Sequence, residues 1–203
     1  MVRQGPIPDI ELNFLQYPGI LQTSMSHIRP VVPVLLVTAI FSRHPSILEW
    51  ARGQLVQLFG PLALMSDPYS FHQTAYYEQT MGPDLLKQLL VFENLVQPDC
   101  LPMKKNQTTS LEEELMAREG NEEKRPLNID PGILSLGKFQ LATTKDQSHR
   151  VYLGSGIFGE VTLRFVAGKW EPWPWTYADY RQDIVLDFLG KARDFYRTKL
   201  MVR

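Results

Sequence analysis

The residue types best suited to chemistry are concentrated between positions 128 and 160 of this sequence. Lysine and arginine side chains occur there beside threonine hydroxyls, a combination that suits an anionic group such as a phosphate or a carboxylate. Turn formation is the simpler interpretation for some of these residues, because Asp130-Pro131-Gly132 is favourable turn chemistry. The predicted ligand-binding residues in this stretch are Asn128, Asp130, Lys138, Thr144, Lys145 and Arg150.

The same stretch also contains residues for acid–base chemistry. His149 can transfer protons near neutral pH, and Asp146 or Glu160 can orient its ring. If a reaction occurs, we expect these three residues to be catalytic. Asp130 and Glu160 are the carboxylates expected to hold a transient Mg²⁺, because Mg²⁺ needs only one or two carboxylates plus substrate oxygens. No dedicated metal site is expected, and the sequence does not indicate any other cofactor.

An aromatic loop follows, with the sequence WEPWPWTYADYR at residues 170–181. One interpretation is a rigid cover over the core, because large aromatic side chains bury much apolar surface. The other is a wall that stacks on a planar ligand. In that case Trp175 and Tyr177 contact the ligand, with Arg181 at their edge.

Familiar nucleotide motifs are missing from the sequence. No stretch matches the P-loop pattern G-x-x-x-x-G-K-[ST]. Residues 154–159, GSGIFG, match G-x-G-x-x-G, but they lie between two predicted strands, so no helix N-terminus follows to hold a pyrophosphate. The four histidines are scattered without the spacing of a metal-binding helix.

Length and charge restrict the class of protein and its partners. A chain of 203 residues can bury one sizeable core. The net charge of −1 gives no global electrostatic attraction to nucleic acid or to an anionic membrane, and either partner would need a local basic patch. We therefore expect neither a nucleic-acid partner nor a membrane partner. Cys100 is the single cysteine, which excludes an intramolecular disulfide and suits a reducing, cytoplasmic location. The oligomeric state is not indicated by the sequence.

Local patterns predict the elements of the first half of the chain. Residues 1–29 show no periodicity and are interpreted as a poorly ordered N-terminal extension, followed by a single domain at 30–203. The apolar, β-branched run at 31–41 predicts a buried strand. A helix should follow, with Pro45 in its first turn and Gly60 at its C-terminal end.

From residue 83 onwards, local patterns predict helices and strands in an irregular order. A helix can begin at Pro83, and another is expected from Ser110 to about Gly120, because Ser110 and Glu113 form a capping box. Strands are expected after residue 127, and apolar residues every four positions at 184–196 predict a C-terminal amphipathic helix. The irregular order predicts an α+β domain, in which amphipathic helices pack on a mixed or mainly antiparallel sheet.

From about Pro33 to Leu200, the sequence resembles an uncharacterised bacterial family. The resemblance rests on TAYYEQTMG, on LNIDPGILSLGKFQLATTKDQSHRVYLGSGIFGEVTL and on WPWTYADYR. This family is a domain of unknown function whose members are often labelled GTP-binding protein, and the resemblance assigns no residue a role. Thr80 and Ser110 depart from the family pattern.

The expected function is therefore the binding of a small anionic ligand in a polar pocket. A phosphate-bearing ligand is favoured, and a nucleotide such as GTP is one candidate. The alternative is an enzyme that acts on a phosphorylated or acidic substrate through His149 and the carboxylates. A second alternative is a protein-interaction module that uses the N-terminal extension and the aromatic loop as contact surfaces.

Overall fold

The most apolar stretch of the chain forms the centre of an antiparallel sheet. In the computed structural model, which describes residues 30–70, 77–118 and 120–202, β1 (Val34–Ser42) pairs with β4 (Leu86–Val96) on one side. On its other side it pairs with β5 (Asn128–Leu134). All nine residues of β1 are buried, because layers of other elements cover both faces of the sheet.

Nine strands in the described part of the chain belong to this sheet. The remaining strands are β2 (Leu62–Met65), β3 (Tyr69–Ser70), β6 (Lys138–Thr143), β7 (Val151–Gly154), β8 (Ile157–Val166) and β9 (Lys169–Pro172). Their order is β2-β4-β1-β5-β6-β8-β7, while β3 also pairs with β4 and β9 with β8. Every pairing is antiparallel.

Helices cover the two faces of the sheet unequally. The helices are α1 (Pro45–Phe59), α2 (Glu78–Met81), α3 (Leu101–Met116) and α4 (Asp183–Met201). Apolar residues of α1 and α3 pack with Leu36, Ile40 and Leu90 on one face. On the opposite face, α4 packs with Leu35, Val37 and Leu89. No helix in the described ranges is both long and apolar enough to cross a membrane.

The structure confirms the α+β class and the predominance of antiparallel pairing. The strand expected at 31–41, the helix beginning at Pro45 and the C-terminal helix are present, with bounds shifted by a few residues. The N-terminal extension predicted at 1–29 lies outside the described residues.

Two predicted helix starts are wrong. The chain after Pro83 enters β4, whose alternate side chains are buried on both faces of the sheet, so the sequence lacks a polar-and-apolar alternation. The third helix starts at Leu101 rather than at Ser110, and it ends at Met116. Ser110 lies inside that helix, where its hydroxyl donates to the carbonyl of Asn106 at 3.2 Å instead of capping the N-terminus.

β5 and β6 pair over only a short distance. Their described ladder joins Gly132–Leu134 to Phe139–Leu141. Before Gly132, β5 continues alongside β1 as far as Asn128, but no pairing with β6 is described there. Pro131 has no backbone N–H to donate to such a pairing. The described pairing of β5 with β6 therefore stops at Gly132, and we call this point the fork. Polar side chains of both strands lie beside it.

Candidate functional site

A cavity of about 320 Å³ lies at the forked end of the sheet. We call it the sheet-end cavity. It lies where β1 and β6 end and where β4, β5 and β8 begin, and register places Phe41 beside Lys87 and Leu141 beside Glu160. Its volume falls at the lower end of the range for small-molecule pockets. Its charged lining residues are Lys87, Lys105, Arg125, Lys145, Asp130, Glu160 and Asp179.

One wall of the sheet-end cavity contains a buried ion pair. Lys87 occupies a position in β4 whose neighbours Leu89 and Val91 lie in the core under α4. Its ammonium group bonds to the carboxylate of Asp179, and it lies 4.3 Å from the centre of the Tyr180 ring. A buried ammonium requires a charged or polar partner, and here the carboxylate and the aromatic face stabilise it together.

At the fork, Asp130 is held by groups from both sides of the sheet. Lys105 of α3 donates to the carbonyl of Ile129 at 2.7 Å and to Oδ1 of Asp130 at 3.2 Å. Oδ2 of Asp130 accepts from the amide of Asn128 at 2.7 Å. Burial alone would raise the pKa of Asp130, but the positive charges of Lys105, Lys87 and Arg125 lower it below its ordinary value. Asp130 is therefore a carboxylate at neutral pH.

Arg125 connects the fork to a buried glutamate on α3. Its Nη2 donates to Oε2 of Glu112 at 2.8 Å and to the side-chain oxygen of Asn128. Oε1 of Glu112 accepts from the backbone N–H of Ile129 at 2.7 Å. Burial raises the pKa of Glu112, while Lys105 and Arg125 oppose that increase. The arginine therefore counters the charge of a carboxylate that burial destabilises.

The guanidinium of Arg125 keeps donors available to the cavity. Its side chain is 31% exposed and lies on the cavity lining. Its side-chain hydrogen bonds within the described part of the protein use Nη2 alone. A guanidinium has five N–H donors in a planar arrangement that matches the oxygens of a phosphate or a carboxylate. Nε and Nη1 can therefore bind a ligand.

Arg150 lies behind the cavity lining rather than on it. Its Nε donates to Oε2 of Glu160 at 2.8 Å, and its Nη2 donates to the hydroxyl of Tyr177 at 2.6 Å. The carbonyl of Lys145 accepts a third bond, from Nη1, at 3.0 Å. The side chains of Arg150 and Glu160 are only 2% and 1% exposed. Arg150 thus joins three segments of the cavity wall.

A stacked column of planar side chains fixes the aromatic loop. The rings of His149 and Trp175 stack with centroids 5.4 Å apart, and those of Trp175 and Trp173 stack at 5.1 Å. The guanidinium of Arg164, on β8, lies 4.7 Å from the Trp173 ring. His149 also places Nε2 at 3.2 Å from Oε2 of Glu160. The column connects the loop before β7 to the loop after β9.

Arg181 stabilises the aromatic loop from within. Its guanidinium donates to the carbonyl groups of Trp173, Pro174 and Thr176 at 2.8 to 3.0 Å. Trp175 donates from its indole nitrogen to the carbonyl of Val161 at 3.0 Å. These bonds position the loop that leads to Tyr177 and Asp179 on the cavity lining.

The structure brings most of the sequence-predicted site residues to one place. The cavity lining includes Asn128, Asp130, Thr144, Lys145, Glu160 and Tyr177. Arg150 and His149 contact Glu160 behind that lining, and Trp175 and Arg181 hold the aromatic loop. Lys138 and Asp146 are exposed and do not line the cavity.

Sequence reasoning missed several residues of the cavity. The missed residues are Phe41, Tyr77, Lys87, Lys105, Arg125, Asp179 and Tyr180. A usable signal existed for Lys87, because a lysine inside the apolar run LKQLLVF must face a polar partner if that run is a buried strand. The expected helix start at Pro83 concealed that signal. Arg125 belongs to the stretch NEEKRP, whose other charges give it no distinguishing feature.

A second group of polar residues has the spacing of metal ligands. Among the described residues, a group of His44, Glu122 and Glu123 has ligand atoms within 4.8 Å of one another. Glu123 already accepts from Arg43 at 2.9 Å and lies 3.0 Å from Nε2 of His44, so an ion pair accounts for the arrangement. Asp130 and Glu160 do not belong to this group, and their role with Mg²⁺ stays a prediction.

Comparison with known proteins identifies the family. No curated protein matches the chain, and no solved structure does. A family model described as a domain of unknown function, DUF4416, matches residues 32–196, which include every charged residue on the lining of the sheet-end cavity. The chain therefore belongs to the DUF4416 family of domains of unknown function.

Proposed function

We propose that this domain binds a small anionic ligand, with a phosphate or carboxylate group, in the sheet-end cavity. The observation that carries the proposal is the guanidinium of Arg125 on the cavity lining, whose described hydrogen bonds leave Nε and Nη1 for a ligand. Nη1 carries two N–H donors and Nε carries one, and a hydrogen bond from a guanidinium to an anionic oxygen is a strong, charge-assisted bond. Lys145 and Thr144 are exposed on the same lining and supply further donors.

The balance of charge around the cavity supports an anionic ligand. Each carboxylate on the lining contacts a cation: Asp179 contacts Lys87, Asp130 contacts Lys105, and Glu160 contacts Arg150. Among the described residues, the charged lining residues and the ion-pair partners described for them comprise five cations and four carboxylates. The cations are Lys87, Lys105, Arg125, Lys145 and Arg150, and the carboxylates are Glu112, Asp130, Glu160 and Asp179. Because each lining carboxylate is already paired with a cation, it opposes a bound anion less than an unpaired carboxylate would.

The same contacts favour binding over acid–base catalysis by the carboxylates. Three cations lower the pKa of Asp130, and a carboxylate with a lowered pKa is a weak general base at neutral pH. Oε2 of Glu160 is shared between Arg150 and His149. His149 itself lies behind the lining and stacks on Trp175.

The size of the cavity restricts the ligand to a small molecule or to part of a larger one. A volume of about 320 Å³ is near the lower limit for ligand pockets. Sugar phosphates and small organic acids match such a volume. A nucleotide such as GTP stays a candidate for which Tyr77 and Tyr177 would supply aromatic contacts, without the phosphate-binding loop of P-loop proteins.

A thermal-shift screen tests the proposal. The wild-type protein would be heated with inorganic phosphate, sugar phosphates, nucleotides and organic acids, with and without Mg²⁺. A ligand at a hundred times its Kd adds about 2.7 kcal/mol, which for a domain of this size raises Tm by roughly 5 to 10 °C. We expect at least one anionic compound to produce such a rise. A flat response to every compound would contradict the proposal.

A further inference from the structure

The carboxylate of Asp130 imposes a second requirement on a ligand of the sheet-end cavity. Asp130 lies on the lining and its side chain is 27% exposed. Its described bonds use two acceptor positions, one to Lys105 and one to Asn128. An ionised carboxylate offers about four such positions, so Asp130 can still accept from a ligand. A ligand that is anionic throughout would instead meet repulsion there.

The anion-binding group and the acceptor are neighbours. Asn128 donates from its amide nitrogen to Asp130, and its amide oxygen accepts from Arg125. One amide side chain therefore separates Arg125 from Asp130. A ligand that contacts both must carry its donor a short distance from its anionic group, as an ester of phosphate with a small polyol does.

The donor that fits Asp130 is neutral. Lys105 bonds to Asp130, and Lys87 and Arg125 lie close enough to lower its pKa. A ligand ammonium at this position would meet the repulsion of Lys105, whose ammonium already contacts the carboxylate. A hydroxyl donates to a carboxylate without that repulsion, and hydrogen bonds to charged acceptors are stronger than neutral ones.

Building on the proposed function, we infer that the ligand is a hydroxylated phosphate ester of the sugar phosphate or polyol phosphate class. Its phosphate would lie against Arg125, and a hydroxyl would donate to Asp130. Thr143 and Gln147, also on the lining, can satisfy further hydroxyl groups of such a ligand.

Two phosphate esters that differ only in their hydroxyl groups provide the test. Glycerol phosphate and propyl phosphate have the same charge and the same carbon skeleton. Chemical-shift titration of the labelled protein measures Kd even for weak ligands. We expect glycerol phosphate to bind the wild type about tenfold or more tightly than propyl phosphate, which is the range of one hydrogen bond to a charged group.

Asp130→Asn is the matched variant, because it keeps the size of the side chain and removes its charge. In this variant, we expect the ratio of the two affinities to fall several-fold, because a neutral amide oxygen is a weaker acceptor than a carboxylate, while propyl phosphate binds no more weakly than to the wild type. Equal affinities of the wild type for both esters would contradict this inference. That result would still agree with the proposed binding of an anionic group in the cavity. Absence of binding by either ester would overturn the inference. If, in addition, no compound of the thermal-shift screen raised Tm, the proposed function would also be overturned.

Discussion

Arg150 donates to the hydroxyl of Tyr177 across 2.6 Å while it bonds to Glu160 at 2.8 Å. The first bond holds the aromatic loop, and the second anchors the arginine to β8. A third bond, to the carbonyl of Lys145, adds the loop after β6. One buried guanidinium therefore fixes three sides of the cavity before any ligand arrives, which lowers the entropic cost of binding.

Replacement of Arg150 should destabilise the fold strongly. Arg150→Met leaves the buried carboxylate of Glu160 without its main cation, and loss of one partner of a buried pair costs about 3 to 5 kcal/mol. Tyr177→Phe removes a single hydrogen bond and should cost about 1 kcal/mol. Urea unfolding measures both values. Similar losses of unfolding free energy in the two variants would show that Arg150 is not the anchor of this wall.

Asp130 should make the fold sensitive to acid. Its pKa is lowered in the folded state, because the charges of Lys105, Lys87 and Arg125 outweigh the effect of burial. The unfolded chain therefore takes up the proton first as the pH falls, so the stabilisation is complete above about pH 5 and is lost as the pH falls through the folded value. Between about pH 5 and pH 3, Asp130→Asn should lose less stability than the wild type. Urea unfolding measures the free energy of unfolding at each pH. Equal losses of that free energy in the variant and the wild type would contradict the role of Asp130 in acid sensitivity.

The contact between β5 and β6 should not tolerate a side chain at Gly132. A Cβ atom there would lie 2.5 Å from the carbonyl oxygen of Gln140 and 2.9 Å from the Phe139 ring. Gly132→Ala should therefore cost about 1 to 3 kcal/mol, the range for overpacking. Gly190→Ala in α4 is the matched control, because its Cβ would meet nothing within 4 Å and alanine favours a helix. Thermal unfolding should show a lower Tm for the first variant and an unchanged or higher Tm for the second.

Local periodicity was sufficient for part of the fold. The buried strand β1 and the helices α1 and α4 could be predicted, because each has a one-sided or continuous apolar pattern of the right length. β4 could not, because burial on both faces removes the alternation that identifies a strand. The capping box at Ser110 predicted the wrong helix start, because this local pattern does not reveal that the helix has already begun at Leu101.

The candidate site was only partly predictable. Residues close together in sequence, such as Asn128 and Asp130, could be recognised as a group. Lys87 and Asp179 are 92 positions apart and meet because β4 and the aromatic loop lie at the same end of the sheet. Lys105 reaches the fork from α3, which packs on the face of the sheet opposite to α4. Such pairings depend on tertiary structure, which no local pattern contains.

Calorimetric titration of Arg125→Gln shows whether Arg125 binds the anionic group of the ligand. The titrant would be the phosphate ester or organic acid that gives the largest rise in Tm with the wild type. Arg118→Gln is the control, because Arg118 is an exposed arginine that pairs with Glu114 on the surface of the same chain. We expect Kd to rise about 10-fold to 100-fold in Arg125→Gln, as for the loss of a hydrogen bond to a charged group, and to stay unchanged in Arg118→Gln. A folded Arg125→Gln protein with the wild-type Kd would show that Arg125 does not bind the anionic group.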